Sequence, residues 1–340
     1  MGMTGSKKNK FLTLILVNLT LFTTLFIFLE VGTRLFYPEL IPLVYQARVY
    51  WQYDSVLGWS HIPNMQGVQK VANREIQITI NSKKLRDNEF EYNKSEKKRI
   101  LVLGDSFAWG FGVEEEERFS EIIEGEIDNL EIINSAIAGY SSDQQLLYFT
   151  REGYKYHPDL VMMLFYENDF LGNSVDNIYW YNKPNFVIKE DSLVLRNVPV
   201  PEQSIYQKLR KFLSGKSYFI SFILKRISVI NVKSFSSEKM DTNNSLLLTE
   251  KIISQLNQLC IAGNSRLLLV SIPMDGEKGK FLSQTASKYS IEYLNLTPYF
   301  EKENGFIIED DGHWNQKGHS IAADAISEWI IQNKFLSGQN

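Results

Sequence analysis

Residues 100–107 read ILVLGDSF, and this stretch decides the fold. Four apolar residues in a row are typical of a short strand that is covered on both faces of a parallel sheet. Ser106 therefore comes directly after the carboxyl end of a buried strand, where a turn into a helix exposes side chains and points backbone N–H groups outward. A serine in that position is a candidate nucleophile, but the tripeptide Gly-Asp-Ser alone occurs in many turns.

Further apolar runs predict four more strands, at residues 132–134, 160–165, 266–272 and 291–294. Segments of helical character separate them, at residues 116–127, 143–154, 246–262 and 278–289, and a last amphipathic helix is predicted over 318–332. Strands that alternate with helices indicate a parallel sheet between helical layers. The predicted fold class is thus α/β, a three-layer α/β/α sandwich around a mostly parallel sheet.

A transmembrane helix is predicted at the N-terminus. Three lysines within residues 1–10 precede residues 11–29, which are apolar apart from four threonines and Asn18. At about 1.5 Å per residue this run spans roughly 28 Å, close to the thickness of a bilayer's hydrocarbon core. The lysines predict a cytoplasmic N-terminus and place the remaining chain across the membrane, in the envelope or periplasm. The alternative is a cleaved signal peptide, but the run is long and a poor cleavage site follows it.

The remaining chain divides into a lead-in, a catalytic domain and an insertion. Residues 30–95 are expected to pack on the catalytic domain, which is predicted over residues 96–335. Within that domain, residues 171–242 interrupt the alternation of strands and helices, and residues 186–195 are predicted to form a β-hairpin. Two interpretations of the insertion stay open, a lid over the carboxyl edge of the sheet and a solvated pair of basic helices.

Composition excludes several classes of function. The net charge of −4 implies no basic surface large enough for nucleic acid. A single cysteine, Cys260, excludes an intramolecular disulfide framework and is expected to be a buried structural thiol. Neither a metal site nor a cofactor is predicted, because no metal-ligand spacing and no complete dinucleotide or phosphate-binding glycine motif occurs. The oligomeric state stays open.

A serine alcohol needs a base within hydrogen-bond reach. The chain has four histidines. His61 and His157 are expected at the surface or in turns, and His319 is expected to support a loop or cap the last helix. His313 is the remaining candidate for the base.

His313 lies in residues 309–315, EDDGHWN, a polar loop directly before the last predicted helix. A catalytic base needs a third group that orients it. Asp310 and Asp311 precede the histidine, and either could bond its Nδ1 while Nε2 faces the serine.

Acyl transfer also needs donors for the negative charge that develops on the carbonyl oxygen. Gly139 follows the second predicted strand, and a glycine lets a backbone N–H approach a ligand closely. Asn168 follows the third predicted strand and can donate from its side chain. The sequence thus places a serine, an N–H site, an amide and a histidine–aspartate pair at the ends of elements of one sheet.

These blocks resemble the SGNH hydrolase superfamily, the GDSL-type lipases and esterases. In that family they carry the nucleophilic serine, an oxyanion glycine, an oxyanion asparagine and the catalytic histidine. The resemblance assigns these roles to Ser106, Gly139, Asn168 and His313, and it adds the Ser106 N–H to the oxyanion hole. The chain departs from the family pattern at Tyr166, where many members have glycine.

The resemblance covers about residues 53–329 and implies a flavodoxin-like SGNH hydrolase fold. Most GDSL-type members have the triad acid three residues before the histidine, which selects Asp310. The run Asp-Gly-His-Trp also resembles the Asp-x-His-Trp arrangement of alginate-acetylation proteins, which selects Asp311. Asp310 is the first choice and Asp311 the alternative.

The resemblance implies a carboxylic ester hydrolase that works through an acyl-enzyme. The predicted substrates are acyl esters, O-acetyl esters above all, of envelope or extracellular glycans or lipids. An acyltransferase that moves acetyl groups onto a glycan is the first alternative. The second is a membrane-tethered, non-catalytic glycan-binding scaffold.

Overall fold

The computed structural model describes residues 5–37, 50–179, 181–214, 216–224, 226, 242–274, 276–309 and 311–336. The chain divides into two compact units, described separately below. The smaller contains Met1–Tyr45 and Ser204–Glu238, and the larger contains Gln46–Gln203 and Lys239–Asn340.

The strands are, in chain order, β1 (Trp51–Asp54), β2 (Gly58–His61), β3 (Gln66–Val71), β4 (Arg74–Thr79), β5 (Lys98–Leu103), β6 (Leu130–Asn134), β7 (Leu160–Phe165), β8 (Asn177–Ile178), β9 (Tyr181–Asn182), β10 (Asn185–Lys189), β11 (Ser192–Arg196), β12 (Arg266–Ser271) and β13 (Glu292–Asn295). The α-helices are α1 (Gly5–Phe36), α2 (Ser106–Trp109), α3 (Phe119–Glu126), α4 (Ser142–Arg151), α5 (Asn168–Asn173), α6 (Ile205–Ser214), α7 (Thr242–Ala262), α8 (Gly276–Lys288), α9 (Thr297–Phe300) and α10 (Gln316–Gln332).

The core of the larger unit is a five-stranded parallel sheet in the order β13-β12-β7-β5-β6. Every residue of β7 is buried, as are all residues of β5 after the first, which is why these strands are continuous apolar runs. All five predicted strands are confirmed. Numbered among themselves, they have the order 2-1-3-4-5 of flavodoxin-like folds, in which ligands bind where the strand order reverses, between β5 and β7.

Helices flank the sheet as predicted, and the three-layer α/β/α fold is confirmed. Helix α10 packs against α3, and α7 packs against α4. The segment predicted as one helix over 116–127 is divided, with a 3₁₀ turn at Glu115–Glu117 before α3. Arg118 is the residue between them. Its buried side chain donates to the half-buried Glu121 carboxylate of α3 at 2.9 Å, so the break places the guanidinium where it forms an ion pair with α3.

The N-terminal strands of the larger unit form two hairpins, β1–β2 and β3–β4. Trp59 in β2 is fully buried, stacks on Trp51 and donates from its indole N–H to the Ala138 carbonyl at 3.3 Å. Gln144 in α4 donates to the Leu57 carbonyl at 2.8 Å. The β1–β2 hairpin is therefore bonded to the loop after β6 and to the helix that follows it.

One buried ion pair joins the strands after α5 to the sheet's helical layer. The Lys183 ammonium contacts the Asp143 carboxylate, and both side chains are fully buried. Lys183 also donates to the Gly172 carbonyl at 2.9 Å. The predicted hairpin at 186–195 is confirmed as β10–β11, which pair antiparallel.

The smaller unit contains α1 and α6. Within α1, Asn9–Phe36 are long and apolar enough to cross a membrane, and the most apolar stretch of this segment has no buried residue. The helix extends beyond the predicted run 11–29 at both ends. Helix α6 has most of its described apolar side chains exposed.

Replacement of Lys183 by methionine should destabilise the larger unit strongly. The change leaves the Asp143 carboxylate buried without its cation, and breaking a buried ion pair in this way costs about 3–5 kcal/mol. The measurement is the free energy of unfolding of the detergent-solubilised chain in denaturant. Lys317→Met is the matched control, because its Glu303 ion pair has side chains 48% and 42% exposed and should contribute at most about 1 kcal/mol. Equal losses in the two variants would contradict the argument.

Candidate active site

Ser106 begins α2 directly after β5, and Asp105 caps that helix. The Asp105 carboxylate accepts a hydrogen bond from the Phe107 N–H at 2.9 Å. Gly104 allows this tight turn, because a Cβ at that position would lie 2.5 Å from the Cβ of Ala108. Ser106 itself is half-buried, so part of the residue remains exposed to solvent within this capped turn.

The structure brings Ser106 and His313 together although 207 positions separate them. The distance between Ser106 Oγ and His313 Nε2 is 2.7 Å. The Nδ1 atom of the same ring contacts Oδ1 of Asp311. With a carboxylate on Nδ1, the neutral ring carries its proton there and leaves Nε2 free to accept from the serine hydroxyl.

Asp311 is therefore the acid that contacts the histidine in the described structure, and Asp310, the first choice from the sequence, lies outside the described residues. Asp311 also accepts a hydrogen bond from the His313 backbone N–H at 3.2 Å. Burial raises the pKa of Asp311, but the hydrogen bonds and the charge of His313 outweigh burial, so the pKa lies below its usual value. The carboxylate thus stays ionised at neutral pH and stabilises positive charge on the ring.

Aromatic side chains hold the imidazole in place. The His313 ring lies between Phe107 and Phe111, with ring centroids 4.9 and 4.6 Å away. Phe107 also packs on Tyr166 and on Trp314, at 4.7 and 5.2 Å. Phe107 therefore joins the segments that carry the serine, the asparagine and the histidine, a role that the sequence analysis missed.

Asn168 is positioned by the residue that precedes the serine. Its side-chain Nδ2 donates to Oδ2 of Asp105 at 3.0 Å, and because an ionised carboxylate only accepts, the amide nitrogen must face it. Asp105 is fully buried, and burial raises the pKa of its carboxyl group despite these hydrogen bonds. One N–H of the amide is thus used to orient Asn168, and the second can donate to a ligand.

Gly139 follows β6 in a left-handed backbone conformation, with φ of +82°. Other residues rarely adopt this conformation. A Cβ there would also lie 3.4 Å from the rings of Trp51 and Tyr179. The loop is tied to the nucleophile's strand, because the Ile137 N–H donates to the Gly104 carbonyl at 3.3 Å.

The other histidines lie elsewhere. His319 is buried, and burial lowers its pKa to about 3; its Nδ1 accepts from the Phe119 N–H at 3.3 Å, which agrees with a supporting role. His157 is exposed at the end of a 3₁₀ turn, as expected. The expectation for His61 is wrong: it is fully buried, its Nδ1 bonds the Lys84 carbonyl at 2.8 Å, and burial lowers its pKa to about 4.

One carboxylate cluster in the described residues has the geometry to hold a metal ion. Asp87, Glu115 and Glu121 present oxygen atoms within 4.8 Å of one another. The buried guanidinium of Arg118 lies 3.3 Å from Asp87 and 2.9 Å from Glu121. Arg118 thus already supplies the positive charge that these carboxylates need.

Of the four residues singled out from the sequence, Ser106, Gly139 and Asn168 follow β5, β6 and β7, and His313 lies in the loop before α10. Each of them is half-buried. The arrangement provides an alcohol bonded to an imidazole, a carboxylate behind it, and an amide linked to the serine's own turn. Such a set can perform nucleophilic attack on an acyl carbon with transfer of one proton.

Comparison with known proteins identifies one matching family. The GDSL-like lipase/acylhydrolase family model matches residues 100–326, whereas none of the curated proteins compared matches the chain. Similar solved structures include the esterase EstA from Pseudoalteromonas sp., at 14% identity and TM-score 0.43 over 71% of this chain and 100% of that one. A mutant of the acetyl-xylooligosaccharide esterase Axe2 from Geobacillus has 12% identity and TM-score 0.42 over 68% and 94%. A two-domain esterase active on acetylated mannans has 14% identity and TM-score 0.40 over 72% and 51%. These likenesses are distant, and none bears on the substrate.

Separate replacement of Asp311 and Asp310 by asparagine should distinguish the acid. An amide at position 311 would favour the wrong tautomer of His313, so kcat for p-nitrophenyl acetate should fall by about 10²- to 10⁴-fold. Asp310→Asn should keep kcat close to that of the unchanged chain. The opposite order would return the role to Asp310, and equal small losses would contradict a triad in this loop.

Proposed function

The chain belongs to the GDSL-like lipase/acylhydrolase family, and on that premise we propose that it is a membrane-anchored serine esterase for short acyl esters of envelope or extracellular glycans. The observation that carries the proposal is the 2.7 Å contact between Ser106 Oγ and His313 Nε2, with Asp311 on the other ring nitrogen. Ser106 is the proposed nucleophile, His313 the general base and then acid, and Asp311 the group that orients it.

The first half-reaction forms an ester on Ser106. As the serine oxygen attacks the acyl carbonyl carbon, its proton passes to His313 Nε2. The bond between the acyl carbon and the alcohol oxygen then breaks, and the imidazolium gives that proton to the leaving alcohol. In the second half-reaction water attacks the acyl-enzyme, its proton returns through His313 to Ser106, and the carboxylic acid leaves.

Three donors are proposed to stabilise the tetrahedral oxyanion, namely the N–H groups of Ser106 and Gly139 and the Asn168 side-chain amide. Ser106 is the first residue of α2, so its N–H has no acceptor within that helix. Asp105 supports the third donor. It accepts one N–H of the Asn168 amide, and the other N–H of that amide is the one proposed to bond the substrate. Donors fixed before the reaction need no reorganisation when charge develops.

The proposal of a short acyl group rests on Tyr166. Its ring lies 4.7 Å from that of Phe107, which in turn contacts the catalytic imidazole. A bulky side chain next to the site leaves less room for an acyl chain than the glycine that many family members have there. Acetyl is therefore the preferred acyl group.

The proposal of a glycan as the alcohol part rests on Tyr179. Tyr179 is 40% exposed, and its ring lies next to the backbone of Gly139. Aromatic side chains that line ligand sites offer a flat apolar face with a polar edge, which fits a sugar ring. Lipid esters share the carbonyl chemistry and are the alternative that a test must separate.

The proposed location outside the cytoplasm rests on α1. The lysines before its apolar run favour a cytoplasmic N-terminus, which would put the catalytic residues on the opposite side of the membrane. Glu30 and Arg34 near the end of α1 bond residues 216–219 of the smaller unit. These bonds support a retained anchor, because a signal peptide that is removed would take them with it.

A serine-reactive fluorophosphonate should label the folded chain on Ser106. Labelling requires an activated alcohol, so Ser106→Ala should abolish it, and Ser135→Ala, which removes a buried serine on the loop after β6, should not. The measurement is in-gel fluorescence after reaction of detergent-solubilised protein. Two results would favour the non-catalytic scaffold. One is that Ser106→Ala is labelled as strongly as the original chain, and the other is that the folded original chain is not labelled at all.

Ester chain length should control kcat/KM through Tyr166. The chain should hydrolyse p-nitrophenyl acetate faster than the octanoate ester, and Tyr166→Gly should narrow or reverse this preference. Both rates are read from p-nitrophenolate release, and the release of acetate from acetylated oligosaccharides tests the glycan directly. Preference for octanoate in the unchanged chain would overturn the short-acyl proposal.

The same assay separates hydrolase from transferase. With a sugar acceptor present, an acyltransferase would form acetylated sugar and release p-nitrophenolate faster than free acetate, whereas the proposed esterase releases the two in equal amounts.

A further inference from the structure

A carboxylate near the end of α1 is bonded by a segment almost 190 positions away. Glu30 accepts hydrogen bonds from the Ser217 hydroxyl at 2.7 Å and from the backbone N–H groups of Tyr218 and Phe219 at 3.1 and 3.0 Å. Residues 218–224 are helical, so Glu30 bonds the free N–H groups at the start of that helix. A carboxylate within an apolar helix thus has its acceptors satisfied by protein.

Aromatic contacts extend this pairing along the last three turns of α1. Phe26 packs edge-on against Phe219 at 6.0 Å, and Tyr37 packs against Phe222 at 5.1 Å. The Arg34 guanidinium lies 4.8 Å from the Tyr218 ring. Residues 217–222 therefore lie beside the carboxyl-terminal third of the segment that can span a membrane.

The helix that precedes this segment exposes an apolar face. The exposed fractions are 85% for Ile205, 66% for Tyr206, 53% for Leu209 and 62% for Phe212. The spacing i, i+1, i+4, i+7 puts these side chains on one side of α6. Large apolar side chains grouped in this way mark a surface that binds a partner or a membrane.

We propose that residues 204–214 and 216–224 form a membrane-interface element, in which α6 lies in the plane of the bilayer surface with its apolar face among the lipid acyl chains. The inference rests on the membrane anchor of the proposed function. It assigns a role to part of the insertion, for which the sequence left two interpretations open, a lid and a solvated pair of basic helices. Its partner is a lipid surface, because residues 217–222, which follow α6 closely, already pack against the helix that can span a membrane.

The sequence of α6 fits this partner. Residues 205–214 read IYQKLRKFLS, which contains three basic residues and no acidic one. Interfacial helices combine an apolar face with basic residues that attract anionic lipid headgroups. A cover over a water-filled cleft or a face against a second copy of the chain would not need this excess of positive charge.

The test uses the full chain in liposomes of phosphatidylcholine and phosphatidylglycerol. The variants Phe212→Cys, Phe22→Cys and Ile331→Cys are each labelled with the environment-sensitive NBD fluorophore. The native Cys260 should stay unlabelled, because it is buried and burial raises the pKa of its thiol to about 12. Ile331 in the larger unit is the matched control, with 65% exposure against 62% for Phe212.

Lipids brominated near the headgroup end of the acyl chain should quench NBD at position 212 more than lipids brominated at the chain's far end. NBD at position 331 should keep its emission with both. Emission at 212 that does not respond to bromination would overturn the proposal and favour a lid or a self-association face.

Position 22 separates this outcome from a failure of the anchor. Quenching at 22 without quenching at 212 leaves the anchor standing and removes the interface element. Loss of quenching at both positions would contradict the anchor and, with it, the inference.

Discussion

The pairing of β5 with β6 on one side and with β7 on the other is the constraint on which the site depends. Parallel neighbours end at the same edge of the sheet, so the loops that carry Ser106, Gly139 and Asn168 must meet there. The hydrogen bond from the Ile137 N–H to Gly104 and the bond from Asn168 to Asp105 then fix the two flanking loops to the central one. His313 completes the site from the last loop.

This convergence requires carboxylates in places that are unfavourable for charge. Asp105 and Asp169 are both fully buried, and burial raises the pKa of each. Asp169 accepts from the Tyr166 N–H at 3.0 Å and from the Ser142 hydroxyl at 2.8 Å. Each carboxylate therefore accepts hydrogen bonds from backbone and side-chain donors in different segments. Burying these carboxylates costs free energy, and the hydrogen bonds that offset this cost also hold the segments together.

The sequence predicted the sheet well because buried parallel strands are continuous apolar runs, and residues 100–103 and 160–165 are such runs. It selected Ser106 and His313, whose side chains are in contact in the structure, because few positions combine the necessary residue type with a strand end or a polar loop. It placed Asp310 before Asp311 by family resemblance alone. Which carboxylate reaches His313 depends on how the loop turns at Ile308, whose carbonyl accepts from the N–H groups of Asp311 and Gly312.

Long-range partners explain what the sequence missed. His61 was expected at the surface or in a turn because it lies in the lead-in segment, but the carbonyl that it bonds belongs to Lys84, 23 positions away. The sequence analysis assigned no role to Phe107 or Phe111, and only the fold brings both rings against the imidazole.

Glu30 is a further residue whose hydrogen-bond partners lie far away in the sequence. In the sequence it marks the end of an apolar run and offers no reason to look elsewhere. In the structure its carboxylate bonds the start of a helix 187 positions later. An unsatisfied carboxylate in apolar surroundings is costly, and a helix start offers free N–H donors with a favourable dipole. Residues 217–219 of the insertion and α1 therefore satisfy each other's polar groups, so neither can be understood as an independent segment.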